Sequence, residues 1–410
     1  MRITVYEHMS SGGYAGLPIS NSVLSEGFGM LRTVINDFKT AGNEITVLLD
    51  GRISKLNPPI NADYTVPIFY PQEAKSFLAN IASIDDSVLI IAPETGQTLQ
   101  SLIELVEKTG KVSLNSESSA ISKVANKAIL HRVLAKNHLP TPKTLVLSVK
   151  DDLAKVKRVV KTKLSYPIVF KPMDGVSCSG LSIVKKEAQI EHAIAKIKVP
   201  SAEENFVVQE YIEGQAASVS LLCAKGKALA ISLNQQTVKA SGPEEASCYE
   251  GGSVPFDHPL KEKAFAISEK VVGCFEGLRG YVGVDLILAK DNVFVVDVNP
   301  RLTTSYVGLS RVANFNVAEA LVTAVMKGEF PERLGTTGYV SFSKLKIPKP
   351  TTSSFQKISQ ISEVVSPPFP LNDNQKACGL IAGKGDSMEQ GRIQLEEAKK
   401  RVLNIVNRGK

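Results

Sequence analysis

The chain has 410 residues, more than one compact core accommodates, and this length indicates two or three domains. With 43% hydrophobic and 22% charged residues it has the composition of a soluble globular protein, and its longest apolar run, VLIIA, is too short to cross a bilayer. The net charge of +7 suits a small anionic ligand as well as a nucleic acid, but basic blocks interleaved with aromatic residues are absent. We therefore expect neither a nucleic-acid partner nor a membrane partner.

Cysteine usage indicates a reducing compartment. The chain has five cysteines, an odd number, and no CxxC motif. This pattern argues against a disulfide framework or a structural zinc site. The N-terminus, MRITVYEHMSSGG, reads as a strand and a loop rather than a signal peptide. Together these features predict a cytoplasmic location.

The first quarter of the chain alternates predicted strands and helices. Residues 2–6 and the runs ITVLLD and SVLIIAPE are predicted strands. The segments EGFGMLRTVINDFKTAG and TLQSLIELVEKTG have apolar residues at helical spacing and end in glycine, which is typical of helix termination. This alternation predicts a parallel α/β domain over residues 1–112.

The middle of the chain has a different pattern of predicted helices and strands. Residues 118–137 are predicted to form one helix, which ends before the prolines of LPTP. Short strands then follow in pairs, as in an α+β domain. The predicted pairs are 166–172 with 181–185, 206–212 with 217–223, and 281–289 with 293–299.

The third strand pair brings oxygen-bearing side chains together. Centring the hairpin on its three-residue turn pairs Ala289 with Val293. Counting outward then places Asp285 opposite Asp297, with Asn299 on the same face. Two facing carboxylates repel each other unless a cation lies between them, and these donors suit Mg²⁺ or Mn²⁺ with phosphates as further ligands. The alternative is a solvated hairpin with incidental acids.

A loop of small residues joins the strands of the first pair. The stretch VFKPMDGVSCSGLSIV has Lys171 at the base of this loop. Backbone N–H groups of such a loop can turn inward around phosphate oxygens, and the lysine can reach an α- or β-phosphate. A plain flexible turn is the alternative.

A polar insert, QEYIEGQ, separates the strands of the second pair. Its backbone could offer an N–H donor and a C=O acceptor to the edge of an adenine. The alternative is an ordinary turn with a solvated Glu213.

Together these motifs resemble the ATP-grasp superfamily. They occur in the family's order: a lysine on the helix before PTPKT, VFKP with a glycine-rich lid, the hinge QEYIEG, and GVDLIL followed by VVDVNPR. The resemblance implies ATP and Mg²⁺ or Mn²⁺ as cofactors, and an α/β and α+β fold with an N-terminal parallel α/β domain, a central lid and a C-terminal mixed sheet. The implied limits are 1–112 for the N-terminal domain, 113–205 for the central lid subdomain, 206–346 for the nucleotide- and metal-binding domain, and 347–410 for the C-terminal lobe.

The resemblance also implies roles for individual residues. Lys171 and Arg301 would be catalytic, with Arg301 facing the transferring phosphate and the acyl group. The family's ribose-binding glutamate is Ala216 here, and Glu213 is the suggested substitute. The implied metal ligands are Asp285, Asp297 and Asn299. The implied nucleotide contacts come from the lysines, the lid and the hinge: Lys127, Lys171, Gly175, Ser177, Ser179, Gly180, Gln209, Glu210, Tyr211, Ile212 and Glu213.

The N-terminal segment carries a narrower resemblance. YEHMSSGG followed by SVLSEGFGMLRTVINDF is similar to the start of a family of archaeal ligases that join the γ-carboxylate of glutamate to the amine of tyramine in methanofuran biosynthesis. Ligands of open α/β sheets bind just after the strands, so Glu7, Ser11 and Gly12 are candidate substrate contacts. Segments between the hinge and the acidic hairpin are candidates for the rest of the substrate wall, and from them we select Asn234, Gln236, Glu250 and Gly251.

The sequence therefore predicts an ADP-forming ligase that makes an amide through an acyl phosphate, with small-molecule carboxylate and amine partners. L-Glutamate and tyramine are the favoured pair. One alternative is another ATP-grasp ligase or carboxylase acting on a different small carboxylate, and a second is a nucleotide-binding regulator without catalysis. The sequence leaves open a homodimer and the identity of the general base.

Overall fold

A computed structural model describes residues 1–175, 178–198, 203–371 and 376–408. Within these ranges the strands form three sheets of five, four and eight strands. One sheet is parallel and the other two are antiparallel. The predicted fold class is confirmed, except that the C-terminal sheet is antiparallel in its described pairings rather than mixed. None of the helices in the described ranges combines the length and the apolar character that a membrane span needs.

The N-terminal domain is built on a parallel sheet with helices between its strands. Its elements are β1 (Arg2–Glu7), α1 (Asn21–Thr40), β2 (Glu44–Asp50), α2 (Gly51–Ser54), β3 (Tyr64–Ile68), α3 (Pro71–Ala82), β4 (Ser87–Ile91), α4 (Thr98–Lys108) and β5 (Val112–Ser113). The strand order is β3-β2-β1-β4-β5. The predicted parallel α/β arrangement is confirmed. Strand β3 was not predicted from the sequence. It lies at the edge of the sheet and most of its side chains are exposed, so its sequence lacks the apolar run that marks a buried strand.

Two short helices replace the one predicted over residues 118–137. They are α5 (Ser118–Ala125) and α6 (Lys127–Lys136). Asn126 between them has an extended backbone (φ −83°, ψ 104°), and its side chain accepts a hydrogen bond from the Ile129 N–H as the N-cap of α6. The single-helix prediction is wrong because apolar spacing continues across this cap. The break places Lys127 in the first turn of α6, where its side chain is buried.

A four-stranded antiparallel sheet forms the central subdomain. Its elements are β6 (Thr144–Ser148), α7 (Leu153–Lys163), β7 (Ile168–Pro172), β8 (Ser182–Val184), α8 (Ile190–Ile197) and β9 (Asn205–Glu210), in the strand order β6-β9-β7-β8. The predicted pairing across the glycine-rich loop is confirmed, because β7 pairs with β8.

The large sheet receives the rest of the chain. Its elements are β10 (Gln215–Ala224), β11 (Lys227–Lys239), β12 (Cys248–Val254), α9 (Lys261–Gly273), β13 (Gly280–Leu288), β14 (Val293–Asn299), α10 (Tyr306–Val312), α11 (Val317–Lys327), β15 (Tyr339–Ile347), α12 (Thr352–Ser359), β16 (Val364–Ser366), β17 (Ala377–Gly385) and α13 (Met388–Arg408). The order is β14-β13-β10-β11-β12-β15-β17-β16. The predicted closing strand and helix are β17 and α13, and β17 pairs with β15 within this sheet.

The predicted pairing of 206–212 with 217–223 is wrong. Strand β9 pairs with β6 and β7, whereas β10 pairs with β11 and β13. Residues 211–214 therefore carry the chain from one sheet to another. Adjacent apolar runs around a polar insert look like a hairpin in sequence, and only the partner strands decide otherwise.

Helix α1 joins the N-terminal domain to the large sheet. Its Phe28 packs edge-on against Phe369 at 4.8 Å between ring centroids. Its Asp37 accepts hydrogen bonds from the Tyr306 hydroxyl (2.6 Å) and the Ser310 hydroxyl (2.8 Å) of α10. The apolar side chains at this junction belong to one buried cluster that includes β1, α1, α10 and β17. This packing fixes the distance across the cleft between the two domains.

We predict that Gly27→Ala destabilises the protein by about 1 to 3 kcal/mol, because added side-chain atoms in a packed core force neighbouring groups to move. This cost should exceed the gain from the higher helix propensity of alanine. A Cβ atom at Gly27 would lie 2.4 Å from Oε1 of Glu7, whose carboxylate is buried against α1. Thermal or urea unfolding measures the change. Gly273→Ala in α9 is the matched control, since no atom lies within 4 Å of its added Cβ. Equal stability of the two variants would contradict the prediction.

Candidate active site

A cavity of about 580 Å³ lies where the N-terminal domain, the central subdomain and the large sheet meet. It is lined by most of the residues that the sequence singled out. These are Glu7, Lys127, Lys171, Gly175, Ser179, Gln209, Glu210, Tyr211, Ile212, Gln236, Asp285, Asp297, Asn299 and Arg301. Residues separated by almost 300 positions in the chain therefore share one cavity.

The acidic hairpin has the predicted pairing at its functional positions. Asp285 of β13 lies opposite Asp297 of β14. Near the turn the prediction is wrong by one residue, because Leu288 rather than Ala289 pairs with Val293. A register shift between Asp285 and Leu286 restores the predicted alignment.

Polar side chains surround the two carboxylates. Asn299 donates from Nδ2 to Oδ2 of Asp285 at 3.0 Å, and Gln236 donates from Nε2 to Oδ1 at 2.9 Å. Lys127 Nζ lies 3.0 Å from Oδ2 of Asp297. Burial and the charge of Asp297 together raise the pKa of Asp285 to about 6, although the hydrogen bonds from Asn299 and Gln236 lower it. The hairpin thus presents negative charge that the surrounding groups compensate only in part.

The pKa values of the two lysines beside these carboxylates are shifted in opposite directions. Burial alone would lower the pKa of Lys127, but the charges of Asp297 and Glu94 outweigh it and hold that pKa above its ordinary value. Burial lowers the pKa of Lys171, and Lys127 nearby adds to the decrease while Asp297 opposes it. Two cations at one end of the cavity therefore remain available to an anionic ligand.

The hairpin fits a hard divalent cation that completes its shell with ligand oxygens. Among the described residues, no group of three or more His, Cys, Asp or Glu side chains could hold a metal by itself. Two carboxylates and the Asn299 amide oxygen, once that amide is turned, supply hard donors and leave several positions open. Magnesium bound alongside substrate phosphates has this pattern, whereas a structural zinc site needs a closed set.

The glycine-rich loop lies over the lysine end of the cavity. Gly175 and Ser179 line the cavity, and the Gly175 carbonyl accepts a hydrogen bond from Lys127 Nζ at 3.4 Å. Gly180 follows in the same loop but does not line the cavity. Ser177 lies outside the described residues. The loop is joined to the N-terminal domain, because the Asp174 carboxylate accepts a hydrogen bond from the Gly96 N–H at 2.8 Å.

The segment between β9 and β10 forms the opposite end. Glu210, Tyr211 and Ile212 line the cavity, and neither Tyr211 nor Ile212 has a backbone–backbone hydrogen bond within the described residues. Gln209 donates a hydrogen bond from Nε2 to Thr144 Oγ1 at 2.9 Å, so its side-chain amide is bound to a neighbouring strand of the central sheet. Glu213 is exposed and does not line the cavity, which speaks against it as the substitute for the absent ribose ligand.

The loop after β1 places one of its three nominated residues in the cavity. The Glu7 carboxylate accepts hydrogen bonds from the Met9 N–H (3.1 Å), the Ser10 N–H (2.8 Å) and the Ser10 hydroxyl (2.5 Å). Burial raises the pKa of Glu7 to about 7 even though these bonds lower it. Ser11 and Gly12 do not line the cavity, and Ser11 instead accepts the Glu7 N–H through its hydroxyl.

Gln236 lines the cavity, but the other nominated wall residues do not. Asn234 is buried within the sheet and donates to the hydroxyl groups of Ser218 and Ser220. Gly251 is enclosed between β11 and β15, and Glu250 lines a separate cavity. Successive side chains of β11 and β12 point to opposite faces of the sheet, and only one face lines the site. The sequence indicated these segments but not which of their residues lie on that face.

Two buried ion pairs were missed by sequence reasoning. Arg301 Nη2 lies 2.9 Å from Oε2 of Glu94, and Lys344 Nζ lies 2.5 Å from Oε1 of Glu26. Glu94 follows the end of a parallel strand, the same signal that pointed to Glu7. Glu26 lies inside α1 and has no such signal. Among the described residues, the buried Glu94 Oε1 and Arg301 Nε atoms have no hydrogen-bond partner, so one acceptor and one donor remain for a ligand at this end of the cavity.

Comparison with known proteins agrees with the resemblance to the ATP-grasp superfamily. Residues 124–305 match the model of the ATP-grasp domain, and residues 43–121 match that of the pre ATP-grasp 3 domain. The tyramine–L-glutamate ligase of Methanocaldococcus fervens is 30% identical over 309 residues, which are 75% of this chain and 89% of that protein. The ligase of the same name from Methanocaldococcus jannaschii is 29% identical over 325 residues, covering 78% and 88%. An ATP-grasp superfamily protein from Archaeoglobus fulgidus has the same fold, with 23% identity, a TM-score of 0.62 and coverage of 93% of this chain and 99% of that one.

The raised pKa of Glu7 predicts a pH-dependent loss of stability. The folded state holds the Glu7 proton more tightly than the unfolded chain, so this site destabilises the protein as the pH rises from 4.5 to about 7, and the penalty stays constant above that. We expect Glu7→Gln to remove a penalty of about 3 kcal/mol at pH 8 that is small at pH 5. Urea unfolding of both proteins at the two pH values measures it.

Ser10→Ala provides the control for this assignment. The Ser10 hydroxyl bond lowers the pKa of Glu7, so its removal should move the midpoint of the stability change to higher pH. An unchanged difference between native protein and Glu7→Gln across pH 5 to 8 would contradict the prediction.

Proposed function

The chain belongs to the ATP-grasp family of ADP-forming carbon–nitrogen ligases, and we propose that it joins the γ-carboxylate of L-glutamate to the amine of tyramine. The observation that carries the proposal is the convergence of two facing carboxylates, two lysines and an arginine in one cavity. The similarity of most of the chain to two tyramine–L-glutamate ligases supports the substrate pair. The reaction would serve a methanofuran-type cofactor pathway.

The proposal assigns ATP to the half of the cavity between the hinge and the acidic hairpin. The free backbone groups of Tyr211 and Ile212 would meet the adenine edge, and Lys127 and Lys171 would contact the phosphates. The glycine-rich loop would cover the phosphates with its N–H groups. A Mg²⁺ or Mn²⁺ ion held by Asp285, Asp297 and Asn299 would neutralise phosphate charge.

In the first step the substrate carboxylate attacks the γ-phosphorus, ADP leaves and an acyl phosphate forms. Lys171 offsets the charge that develops on the phosphate oxygens. Lys127 pairs with Asp297 in the structure, and phosphate oxygens would give this lysine a second partner. Closure of the loop against the N-terminal domain, through contacts of the kind that join Asp174 to Gly96, would keep water from the acyl phosphate.

In the second step the amine attacks the acyl carbon, and inorganic phosphate leaves. Arg301 would stabilise the oxyanion, and Glu94 keeps its guanidinium oriented toward the cavity. Glu7 is our candidate for the base that accepts the amine proton. Its pKa of about 7 suits that task, and a carboxylate with three donors still has a free lone pair.

The other end of the cavity has the chemistry of an amine with an apolar body. Met9, Val23 and Met30 line it with apolar surface, and Glu7 and Glu26 line it with carboxylates. A protonated arylalkylamine matches both features, because its ring needs apolar contact and its ammonium needs an acid. This pattern supports tyramine over bicarbonate, the acceptor that a carboxylase would use.

A substrate panel tests the assignment. We expect ADP release above background when L-glutamate and tyramine are both present, with γ-glutamyltyramine detected by mass spectrometry. Phenethylamine, ammonia and bicarbonate are the comparison acceptors. If tyramine gives no more ADP than buffer while another amine does, the substrate pair is wrong and the ligase class stands.

The metal-site assignment is tested by Asp297→Ala. We expect kcat to fall by at least about 100-fold, because the variant lacks one of two carboxylates proposed to hold the cation. Circular dichroism should match that of the native protein, which would show that the fold is intact. Asp291→Ala, in the exposed turn of the same hairpin, is the control and should retain activity. Near-normal turnover of Asp297→Ala would rule out the assigned role.

A further inference from the structure

A second cavity, of about 510 Å³, opens in the large sheet on the side of α13. Strands β12 and β15 pair only from Gly251 to Val254 on the β12 side, whereas β12 continues to pair with β11 back to Cys248. The two strands therefore separate beyond Gly251, and the cavity lies in the fork between them. Helix α13 packs against β15 and β17 and forms its outer wall.

The floor of this cavity is polar. Thr237, Ser253, Ser341 and Ser343 contribute hydroxyl groups, and Ser253 and Ser341 share a hydrogen bond of 2.9 Å between their hydroxyl oxygens. The Ser343 hydroxyl is buried and has no partner within the described residues. Such a group is costly to bury unless something supplies its hydrogen bond.

Gly251 lies at the point where β12 separates from β15. It lies between Thr237 and Ser343 in the register of the three strands. Its φ of +151° disfavours any other residue, and a Cβ atom there would lie 2.1 Å from the Phe342 carbonyl oxygen. A side chain at this position would therefore collide with the β15 backbone where the two strands begin to separate.

The cavity wall is strongly basic. Four cationic side chains line it against one carboxylate, that of Glu250: Lys344, Lys346, Arg392 and Lys399. Lys344 is paired with Glu26, and Lys399 with Glu396. Arg392 and Lys346 take part in no ion pair within the described residues, and Arg392 reaches only the Gln235 Oε1 atom at 3.4 Å and the Met388 sulfur at 3.6 Å.

We propose that this second cavity binds a carboxylate or phosphate group of a small organic anion. A planar guanidinium with free donors and a neighbouring lysine fit such a group, and the serine and threonine hydroxyls supply further hydrogen bonds. The volume suits a molecule of metabolite size, and a nucleic acid would need a far more extended basic surface.

The second cavity is connected to the first. Tyr249 lines both, and the Lys344–Glu26 ion pair has its lysine in one cavity and its carboxylate in the other. An anion beside Lys344 would compete with Glu26 for the same charge. Glu26 would then interact more strongly with a cationic amine in the first cavity, and the reciprocal effect follows from linkage.

Binding is tested on the full chain with succinate as the probe, by calorimetry at low ionic strength without nucleotide or metal. We expect the double variant Arg392→Ala, Lys399→Ala to bind succinate at least about tenfold more weakly than the native protein. Lys400→Ala removes one positive charge, as each substitution of the double variant does, but from an exposed position of α13 outside the cavity, and it should leave binding unchanged. Thermal unfolding checks that all variants are folded.

Absence of succinate binding to the native protein, equal binding by the double variant, or equal weakening in Lys400→Ala would overturn the proposal. These outcomes do not depend on the ligase reaction. A second measurement, which rests on the proposed function, identifies the source of the anion. A higher KM for the carboxylate substrate in the double variant assigns the anionic group to the substrate. A lower amine KM on adding succinate, in the native protein only, assigns it to a separate effector.

Discussion

The site is organised around the negative charge of two carboxylates that face each other across an antiparallel strand pair, because neighbouring groups must offset that charge. Asp285 and Asp297 lie in a largely buried cavity, where their repulsion and desolvation raise the free energy of the folded state. Lys127 and the amides of Asn299 and Gln236 offset only part of that cost. The remaining negative charge is the reason why the proposed cation, with the phosphates that accompany it, would stabilise the protein at this end of the cavity. The charges of Asp297 and Glu94 outweigh burial at Lys127 and raise its pKa, whereas burial prevails at Lys171 and lowers its pKa.

The cavity exists because three sheets are joined at fixed positions. The crossing from β9 to β10 leaves backbone groups unpaired at one end, and α1 brings the N-terminal domain against α10 and β17 at the other. The ion pairs Glu94–Arg301 and Glu26–Lys344 each connect the N-terminal domain with the large sheet. These ion pairs thus hold the two parts of the structure together, and under our proposal an anion that alters the Lys344–Glu26 pair would affect the other cavity.

Local patterns predicted much of the site. The pairing of β13 with β14 could be predicted by counting from the turn between them. The loop after Lys171 was predicted from the small residues between two strands. Even there the count near the turn was wrong, and an irregularity in β14 restored the alignment at the acids. The wall residues Asn234, Glu250 and Gly251 were misplaced, because which face a strand residue occupies depends on register shifts that the sequence does not mark.

The sequence by itself determined the elements whose signals are local: the alternating strands and helices of the N-terminal domain, the acidic hairpin, the lysine with its glycine-rich loop, and the closing strand and helix. Tertiary structure alone decided that β9 and β10 belong to different sheets, that α6 begins at Lys127, and that Glu26 and Glu94 face the cavity. The physical reason is the range of the interactions. Periodicity and turn chemistry act over a few residues, whereas strand partnership and buried ion pairs join groups up to several hundred positions apart, and their free energies appear only once the chain has packed.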